Sequence, residues 1–388
     1  MQGLVFDNWW GHWGLFTAIC ILSVMSFILL LIWADRRIFW GRFQIRMGPN
    51  RCGPYGLLQA LADGLKMALK EDIVPDKVDR FLHTLAPILV MFPIIMGFAI
   101  IPFASARSGL IPDLNIGLLY LVGITSVAGV GVLTATWASS NKWALFGGTR
   151  FIASLVSYEF PLVLSVIGVV LMAGTMSVNG IVDSQVSSAW FILLQPLGFL
   201  IFFIAMSAEA SRSPFDFIEA DSELTAGYTT EYSGLRFGVF FMTEFIEAML
   251  MSALIVTLFL GGYSFPGINA ISGDLAWLGT FLSIGVFLTK WIIVYFVLGW
   301  IKCTLPRIRI DQWMVFAWKA LLPMAIINLI IIAFERVAFG GASDFPAWLM
   351  LINVPFCILL ILLWSKLWKT GGGKVNVRAV RQGYCEGS

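Results

Sequence analysis

The sequence predicts an all-α fold: a polytopic membrane helical bundle of about nine transmembrane helices plus an interfacial amphipathic helix. Only 12% of the 388 residues are charged, and 59% are hydrophobic. The mean hydropathy is +0.87, and a soluble domain of this length carries roughly twice that share of charge. Apolar runs of about 20 residues recur along the chain, and each is long enough to cross a hydrocarbon core of about 30 Å.

Nine apolar runs are candidate membrane spans. They lie at roughly 14–34, 84–104, 114–137, 151–174, 189–209, 237–260, 275–300, 313–334 and 345–365. We expect residues 1–368 to form a single integral-membrane domain. The five basic residues from Lys366 onward, after the last run, predict a basic cytoplasmic tail over residues 369–388.

The distribution of Lys and Arg predicts the orientation of the bundle. The segment joining the first two runs carries nine basic residues, whereas residues 1–13, 175–188 and 261–274 carry none. Basic residues accumulate in cytoplasmic loops, so the N-terminus is expected outside and the C-terminus in the cytoplasm. No basic residue precedes the first apolar run, so we expect no cleavable signal peptide.

An amphipathic helix is predicted after the first span. The stretch GPNRCGPYG, residues 48–56, contains turn residues, and Pro54 suits the first turn of a helix. Apolar residues then recur at helical spacing, with Gln59, Asp63, Lys66 and Lys70 opposite them. A helix of about 16 residues with this pattern lies in the membrane interface. On this stretch alone, a simple surface brace is the competing interpretation.

The chain has no residue pattern that predicts a metal or redox site of its own. Its five cysteines form no CxxC pair, and His12 and His83 are the only histidines. A haem, zinc or iron–sulfur site needs clustered ligands of these types. We therefore expect no metal in this chain, and any redox centre to be supplied by partner chains. No nucleic-acid partner is expected.

Carboxylates within the predicted spans are the strongest functional signal. Glu159 lies about 14 Å of helix beyond Arg150, and Glu244 and Glu247 lie about 12 and 16 Å beyond Arg236. A charge at such depth costs about 3 kcal/mol on insertion scales, so function is the default interpretation. Lys290, in the seventh span, is a candidate counter-charge. The alternative is that these groups only form structural ion pairs inside the bundle.

Residues 210–236 form an acidic loop that is predicted to pack instead of floating in solvent. Its carboxylates alternate with aromatic and aliphatic side chains such as Phe215 and Tyr228. A partly buried negative loop facing the arginine-rich first loop would link a cavity between them to the carboxylates within the membrane. Most acidic loops are simply solvated, and that alternative stays open here.

Several motifs together resemble a known family. They are DRRIFWGRFQIRMGPNRCGPYGLLQALADGLKMALKED, GVLTATWASSNKWALFGGTR, SYEFPL, AEASRSPFDFIEADSELTAGYTTEYSGLRFGVFFMTEF, FLGGY and LPRIRIDQWMVFAWKALLP. The chain resembles the quinone-site membrane subunit of respiratory complex I, the NADH:quinone oxidoreductase (the H subunit in bacteria, subunit 1 in mitochondria). The likeness covers about residues 14–335.

The resemblance implies a tilted bundle with a quinone chamber and a proton route. It implies chamber residues at Asp35, Arg36, Arg46, Phe215, Asp216, Glu219 and Asp221. It implies a proton route at Glu159, Glu209, Glu223, Glu231 and Glu244. Asp35 stands where Glu is usual in the family, which shortens its reach to an arginine partner. Glu247 is outside the family motif, so its role rests on depth and spacing alone.

The resemblance also implies substrates and partners. Quinone (ubiquinone, menaquinone or plastoquinone) would be the substrate, and iron–sulfur clusters would lie only on partner subunits. The partners would be other membrane subunits, hydrophilic iron–sulfur and quinone-site subunits, and lipid. The expected function is that of a coupling subunit of a proton-translocating NADH:quinone oxidoreductase.

Three alternatives remain at this point. The chain could be the equivalent subunit of a ferredoxin-driven quinone reductase or a membrane-bound hydrogenase. It could instead be a stand-alone secondary transporter, although the sequence has no paired broken spans in matching halves. A pure scaffold is the third alternative, and it leaves the carboxylates within the membrane unexplained.

Overall fold

The computed structural model describes residues 26, 29–103, 114–212, 214–216, 225–265, 276–339 and 349–371. Within these ranges the protein consists of helices and turns, with no strand. The predicted all-α class is therefore confirmed. Most of the first predicted span lies outside the described residues, as do Glu219, Asp221 and Glu223 of the acidic loop.

Thirteen helices organise the described part of the chain. They are α1 (29–43), α2 (Gln59–Leu69), α3 (Arg80–Phe98), α4 (Gly117–Ala138), α5 (Lys142–Ala173), α6 (Val178–Ser187), α7 (Phe191–Leu194), α8 (Pro196–Glu209), α9 (Gly234–Phe259), α10 (Ala276–Thr304), α11 (Ile310–Phe316), α12 (Leu322–Phe339) and α13 (Leu349–Gly371). A wide π-helical turn, Ala317–Leu321, joins α11 to α12.

Six of the described helical segments are long and apolar enough to cross a membrane. They are Arg80–Phe98, Gly117–Ala138, Lys142–Ala173, Gly234–Phe259, Leu278–Thr304 and Ile310–Ala338. Each coincides with one of the predicted spans, so the polytopic bundle is confirmed. The shorter apolar helices Pro196–Glu209 and Asn353–Trp364 fall in the predicted spans 189–209 and 345–365.

The predicted span at 189–209 is broken into two helices. The chain leaves helical geometry at Gln195, with φ −131° and ψ 68°, between α7 and α8. Pro196 explains the position of the break, because proline has no N–H to donate to the preceding turn. The short helix α6, Val178–Ser187, is a further element that the sequence pattern did not predict.

Helix α9 is the centre of the bundle. Every residue from Ala248 to Phe259 is buried. Close approaches between helices are made at glycines: a Cβ at Gly131 of α4 would lie 2.6 Å from Val90 Cγ2 of α3. A Cβ at Gly148 of α5 would lie 2.3 Å from Thr136 Cγ2 of α4. Small residues at these crossings allow backbones to approach closely, as is usual within membranes.

The first loop brings an amphipathic helix against the bundle. Tyr55 and Gly56 have φ of 58° and 75°. These positive values are not compatible with a right-handed α-helix, so the helix begins only at Gln59. The predicted helix is therefore present in α2, but it has 11 residues instead of about 16. Leu61 and Leu65 remain 51% and 56% exposed in the isolated chain. An apolar face left open in this way suits the membrane interface.

Helix α1 contains a π-helical turn at Asp35–Trp40. Asp35 and Phe39 both face the bundle and are buried, and the Phe39 ring packs 4.8 Å from that of Phe296 on α10. Asp35 and Phe39 are four residues apart and therefore share one helix face, while Arg36 and Arg37 lie beside the first loop. Single π turns of this kind are frequent at functional sites.

Candidate functional site

Arg212 lies in a tight turn after α8 and points into the bundle. Ser211 before it has φ 48°, in the left-handed region, and Arg212 is only 4% exposed. Its Nη1 lies 3.5 Å from Asp35 Oδ2, and its Nε lies 3.9 Å from Glu244 Oε1. Its guanidinium also lies 4.9 Å above the ring of Phe245. One arginine thus bridges carboxylates from α1 and α9.

Two residues of α10 complete this charge cluster. Lys302 Nζ lies 3.1 Å from Glu244 Oε1, and the Tyr295 hydroxyl donates to Asp35 Oδ2 at 3.4 Å. Glu244 therefore faces two cations, whereas Asp35 faces one cation and one hydroxyl. We call Asp35, Arg212, Glu244, Tyr295 and Lys302 the Arg212 cluster.

The Arg212 cluster contains hydrogen-bonding groups without partners. Asp35 Oδ1 and both Nε and Nη2 of Arg212 are buried and have no hydrogen-bond partner among the described residues. Buried polar atoms are nearly always satisfied by protein or water. The Asp35–Arg212 distance of 3.5 Å is also long for a charge-assisted hydrogen bond. The arrangement is therefore loose enough to take up water or to change its pairing.

A cavity of about 50 Å³ adjoins this cluster. Its polar lining comes from Thr125, Tyr158, Glu209, Ser211, Asp216, Thr243, Glu244 and Glu247. A water needs roughly 10–15 Å³ of such space, so about three to five waters fit. The cavity thus connects the start of the acidic loop to Glu247, the deepest of these carboxylates on α9.

Glu159, another carboxylate of the predicted proton route, lies next to this cavity. Ser126 of α4 donates a hydrogen bond to Glu159 Oε1 on α5, one residue from the cavity-lining Thr125. Among the described residues, no basic side chain lies within 4.0 Å of Glu159, Glu209 or Glu247. Within the described part of the chain these three groups therefore form no ion pair, in contrast to Glu244.

The predicted chamber residues of the first loop are held by polar contacts. Arg36 forms an ion pair with Asp63 of α2, whose other oxygen accepts a bond of 3.0 Å from Gln59 Nε2. Arg36 also lies 5.7 Å from the centre of the Phe241 ring on α9. Helix α2 is thereby attached to α1, and Arg36 lies on the same side of α9 as the Arg212 cluster.

The arginine turn itself is exposed at its tip. Arg37 donates to the carbonyl oxygens of Pro49, at 2.9 Å, and Tyr55, which fixes the base of the turn. Arg46, in contrast, is exposed and donates to Gln44 Oε1 at 2.7 Å. The structure does not bring Arg46 to the buried cluster, so its predicted chamber role depends on what docks at this surface.

The described parts of the acidic loop are anchored at both ends. Asp216 pairs with Arg307 at 2.6 Å, and the Phe215 ring lies 4.3 Å from that of Trp313. At the other end, Glu231 Oε1 accepts a 2.6 Å bond from Asn141 Nδ2. The loop is thus packed at its ends and not merely solvated there.

Glu231 is followed by a stacked aromatic pair. The Tyr232 ring stacks on His83 at 4.0 Å, and burial raises the pKa of the Tyr232 hydroxyl above its ordinary value. Tyr232 is therefore a neutral hydrogen-bonding group here. Glu231 lies beside this packed layer and, unlike Glu209, Glu244 and Glu247, does not line the cavity.

The prediction that Lys290 offsets the charge of the carboxylates within the membrane is wrong. Lys290 Nζ donates to the carbonyl oxygens of Leu260, Gly262 and Ser264 at 2.7, 3.1 and 2.6 Å. These carbonyls follow the end of α9, about 20 Å of helix from Glu247. Lys290 therefore holds the turn that follows α9, and Lys302 and Arg212 provide the counter-charge for Glu244.

Comparison with known proteins assigns this arrangement to a family. The family model described as NADH dehydrogenase matches residues 16–333. A relative from Dehalococcoides mccartyi, named as the H subunit of an NADH-quinone oxidoreductase, is 45% identical over 96% of this chain and 100% of its own length. The chain belongs to the family of NADH-quinone oxidoreductase H subunits. Further relatives of that name, from Brevibacillus brevis and Geobacillus kaustophilus, are each 44% identical, over 84% and 83% of this chain and 94% and 93% of their own lengths.

The structure adds residues to the site of this NADH-quinone oxidoreductase family member that the sequence did not single out. Arg212, Lys302, Tyr295 and Tyr158 all lie in the cluster or its cavity. The sequence analysis assigned no role to Lys302 or Arg212. Their positions close to the ends of predicted spans were a usable signal. A long basic side chain there can reach a carboxylate that lies one or two helical turns further into the membrane.

Proposed function

We propose that this chain is the membrane subunit of a proton-translocating NADH:quinone oxidoreductase of the complex I type. In this proposal the chain forms a quinone chamber together with hydrophilic partner subunits. It couples quinone reduction to proton translocation through its buried carboxylates. It carries no redox centre, and electrons reach quinone from iron–sulfur clusters on those partners.

One observation carries the proposal: a small cavity runs from Asp216 to Glu209, Glu244 and Glu247, and it touches the Arg212 cluster. A chain of water-accessible carboxylates within a membrane is the arrangement that a proton relay requires. The absence of a counter-ion within 4.0 Å of Glu209 and Glu247, among the described residues, favours proton exchange over permanent charge.

The chamber is proposed to lie between the first loop and the start of the acidic loop. Asp35, Arg36, Phe215 and Asp216 supply its described wall, with Arg46, Glu219 and Asp221 completing it in the assembled complex. An isoprenoid tail needs an apolar slot that is continuous with lipid, and the exposed leucines of α2 provide one. The polar head group needs a positive end, which Arg36 provides, while its direct hydrogen-bond donors belong to a hydrophilic partner.

Coupling is proposed to work through the shared counter-charges of Glu244. Arg212 lies 3.9 Å and Lys302 3.1 Å from its carboxylate. Each attraction amounts to about 4–5 kcal/mol before desolvation, at an effective dielectric constant of about 20. When reduction changes the charge near Asp35, Arg212 shifts toward or away from Asp35. Glu244 then gains or loses part of its counter-charge, and its affinity for a proton changes.

The remaining carboxylates are assigned to successive steps of the route. Glu223 and Glu231 would connect the chamber to the cavity, and Glu209, Glu244 and Glu247 would hold protons within it. Glu159, bonded to Ser126, would receive the proton from the cavity. The proposed location is the bacterial inner membrane, with the N-terminus outside and the C-terminus in the cytoplasm. Ubiquinone, menaquinone and plastoquinone all fit this description.

The test is a Glu244→Gln variant of the whole complex in proteoliposomes. Gln keeps the size of the side chain and can bind Lys302, but it cannot exchange a proton. We expect quinone to bind with unchanged affinity, while proton uptake per electron falls at least tenfold or turnover slows by that factor. Asp311→Asn is the matched control, since this carboxylate is 73% exposed and pairs with Arg309 at the surface.

Two results would contradict the proposal. The first is full proton pumping by the Glu244→Gln complex. The second is pumping by this chain alone in liposomes, which would indicate a secondary transporter. If the purified complex reduced quinone with reduced ferredoxin and not with NADH, the coupling scheme would stand but the complex would be a ferredoxin-driven enzyme.

A further inference from the structure

A second buried polar cluster lies at the other end of the bundle. Helix α8 begins next to Gln195 and ends at Glu209 beside the cavity, so the two sites are about 20 Å apart along it. At the Gln195 end, α8 meets Asn328 and Glu335 of α12 and Asn353 of α13. None of these four residues takes part in the proposed quinone chemistry.

The amide side chains of this cluster lack partners. Gln195 is 2% exposed, and neither its Oε1 nor its Nε2 has a hydrogen-bond partner among the described residues. Asn328 is 5% exposed, and its Nδ2 is likewise without a partner there. Leaving such groups unsatisfied is unfavourable, because each has lost its hydrogen bonds to water. Three orphaned atoms in one place, one amide oxygen and two amide nitrogens, therefore indicate a small polar species that binds between them.

A buried carboxylate faces the same space. Glu335 is 7% exposed, and in the described part of the chain no Lys, Arg or His lies within 4.0 Å of it. Asn353 Nδ2 approaches it to 3.5 Å and also donates to the Leu194 carbonyl at 2.6 Å. An ionised carboxylate at this depth needs a positive charge beside it.

The space between these groups is small and is bordered by two glycines. The cavity has a volume of about 20 Å³, and Gln195, Asn328, Glu335 and Asn353 provide its polar lining. A Cβ at Gly168 or Gly198 would lie 3.2 or 3.1 Å from Gln195 Oε1, so larger residues there would crowd the amide. The volume suits one water or one ion of similar size.

The helix break supplies further oxygen atoms. Pro196 has no N–H, so the carbonyls at the end of α7 lose their helical donors, and the Leu194 carbonyl turns to Asn353. Broken helices within membranes commonly coordinate small cations with such carbonyls. Rotation of the Asn328 amide by half a turn would add its Oδ1 to the set.

We propose that this cluster is a binding site for one sodium ion. Its oxygens are the Glu335 carboxylate, Gln195 Oε1, the Leu194 carbonyl and the Asn328 amide oxygen, all hard ligands. A single carboxylate among neutral amides balances one positive charge, which disfavours calcium and magnesium. The small cavity disfavours potassium. The site is independent of the proposed quinone function, and either can fail without the other.

The test measures sodium binding to the purified complex directly. Equilibrium dialysis with radioactive sodium, in a choline chloride background of constant ionic strength, gives the stoichiometry. We expect one sodium per complex to be lost in Glu335→Gln, or its Kd to rise at least about tenfold. Asp183→Asn is the matched control: this carboxylate is exposed at the same end of the bundle, bonded to the Tyr263 hydroxyl at 3.2 Å, and its variant should keep the ion.

Infrared difference spectra separate sodium from a proton at the same carboxylate. Adding sodium to the native complex should remove the carbonyl band of a protonated acid, because the ion binds the ionised carboxylate, and this change should be absent in Glu335→Gln. Asn353→Ala provides a second variant, with weakened binding, should Glu335→Gln fail to assemble. Unchanged sodium binding in both variants, or no bound sodium in the native complex, overturns the proposal.

Discussion

Replacing Arg212 with Met should remove a positive charge that Asp35 and Glu244 share. The substitution keeps much of the side-chain volume but removes the charge that lies 3.5 Å from Asp35 and 3.9 Å from Glu244. Glu244 retains Lys302 at 3.1 Å. Asp35 is 1% exposed and retains the Tyr295 hydroxyl, at 3.4 Å, but no cation among the described residues. The consequences should therefore fall mainly on Asp35.

The magnitude follows from these contacts. Coulomb attraction at 3.5 Å is about 5 kcal/mol at an effective dielectric constant of about 20. Removing one partner of a buried pair costs about 3–5 kcal/mol, and the remaining hydroxyl bond puts this case near the lower end of that range. Asp35 can escape part of that cost by taking up a proton. The variant should thus unfold more easily and contain one additional protonated carboxylic acid.

The assay combines unfolding with infrared spectroscopy in a double-mutant cycle. Arg212→Met, Asp35→Asn and the double variant are compared in the purified complex. The protonated-acid band should appear in Arg212→Met and vanish in the double variant, with a coupling energy of about 2–3 kcal/mol between the two sites. A coupling below about 0.5 kcal/mol, with no new band, would refute the idea that Arg212 is the counter-charge of Asp35.

Two further substitutions test the packing and the corrected role of Lys290. In thermal unfolding, Gly148→Val should destabilise the bundle by about 1–3 kcal/mol, because its Cβ would lie 2.3 Å from Thr136 Cγ2. Gly123→Ala is the control: a Cβ there has nothing within 4 Å, so its stability should be nearly unchanged in the same measurement. Lys290→Met should lose three carbonyl contacts and about 2 kcal/mol of stability but keep the native number of protons pumped per electron. A changed proton ratio would return Lys290 to the proton route.

The sequence predicts the parts of this fold that depend on local composition. Long uncharged runs must become helices in lipid, because only a helix pairs all the backbone N–H and C=O groups within a single segment there. The bounds of α3, α4 and α9 follow from this rule. It does not predict the break at Gln195 or the π turn at Asp35, since both depend on which neighbouring groups accept the freed backbone atoms.

The site was predictable in its acidic half and much less in its basic half. Glu159, Glu244 and Glu247 are anomalous by depth alone, so the sequence pattern indicates them, whereas Glu209 was indicated only by the family resemblance. Lys302 and Lys290 look equivalent in sequence, each a single cation in the seventh span or at its end. Only the antiparallel register of α9 and α10 decides that Lys302 meets Glu244 and Lys290 meets the end of α9.

The wide turn in α1 determines which way the neighbouring arginines point. A π turn amounts to one extra residue in an otherwise regular helix, and one residue corresponds to about 100° around the axis. If that residue were removed while the preceding part of the helix kept its position, Arg36 and Arg37 would rotate away from Asp63 and the first loop. The angular setting of the arginines thus depends on backbone winding as well as on side-chain identity, and the same residues in a regular α-helix would face the wrong partners.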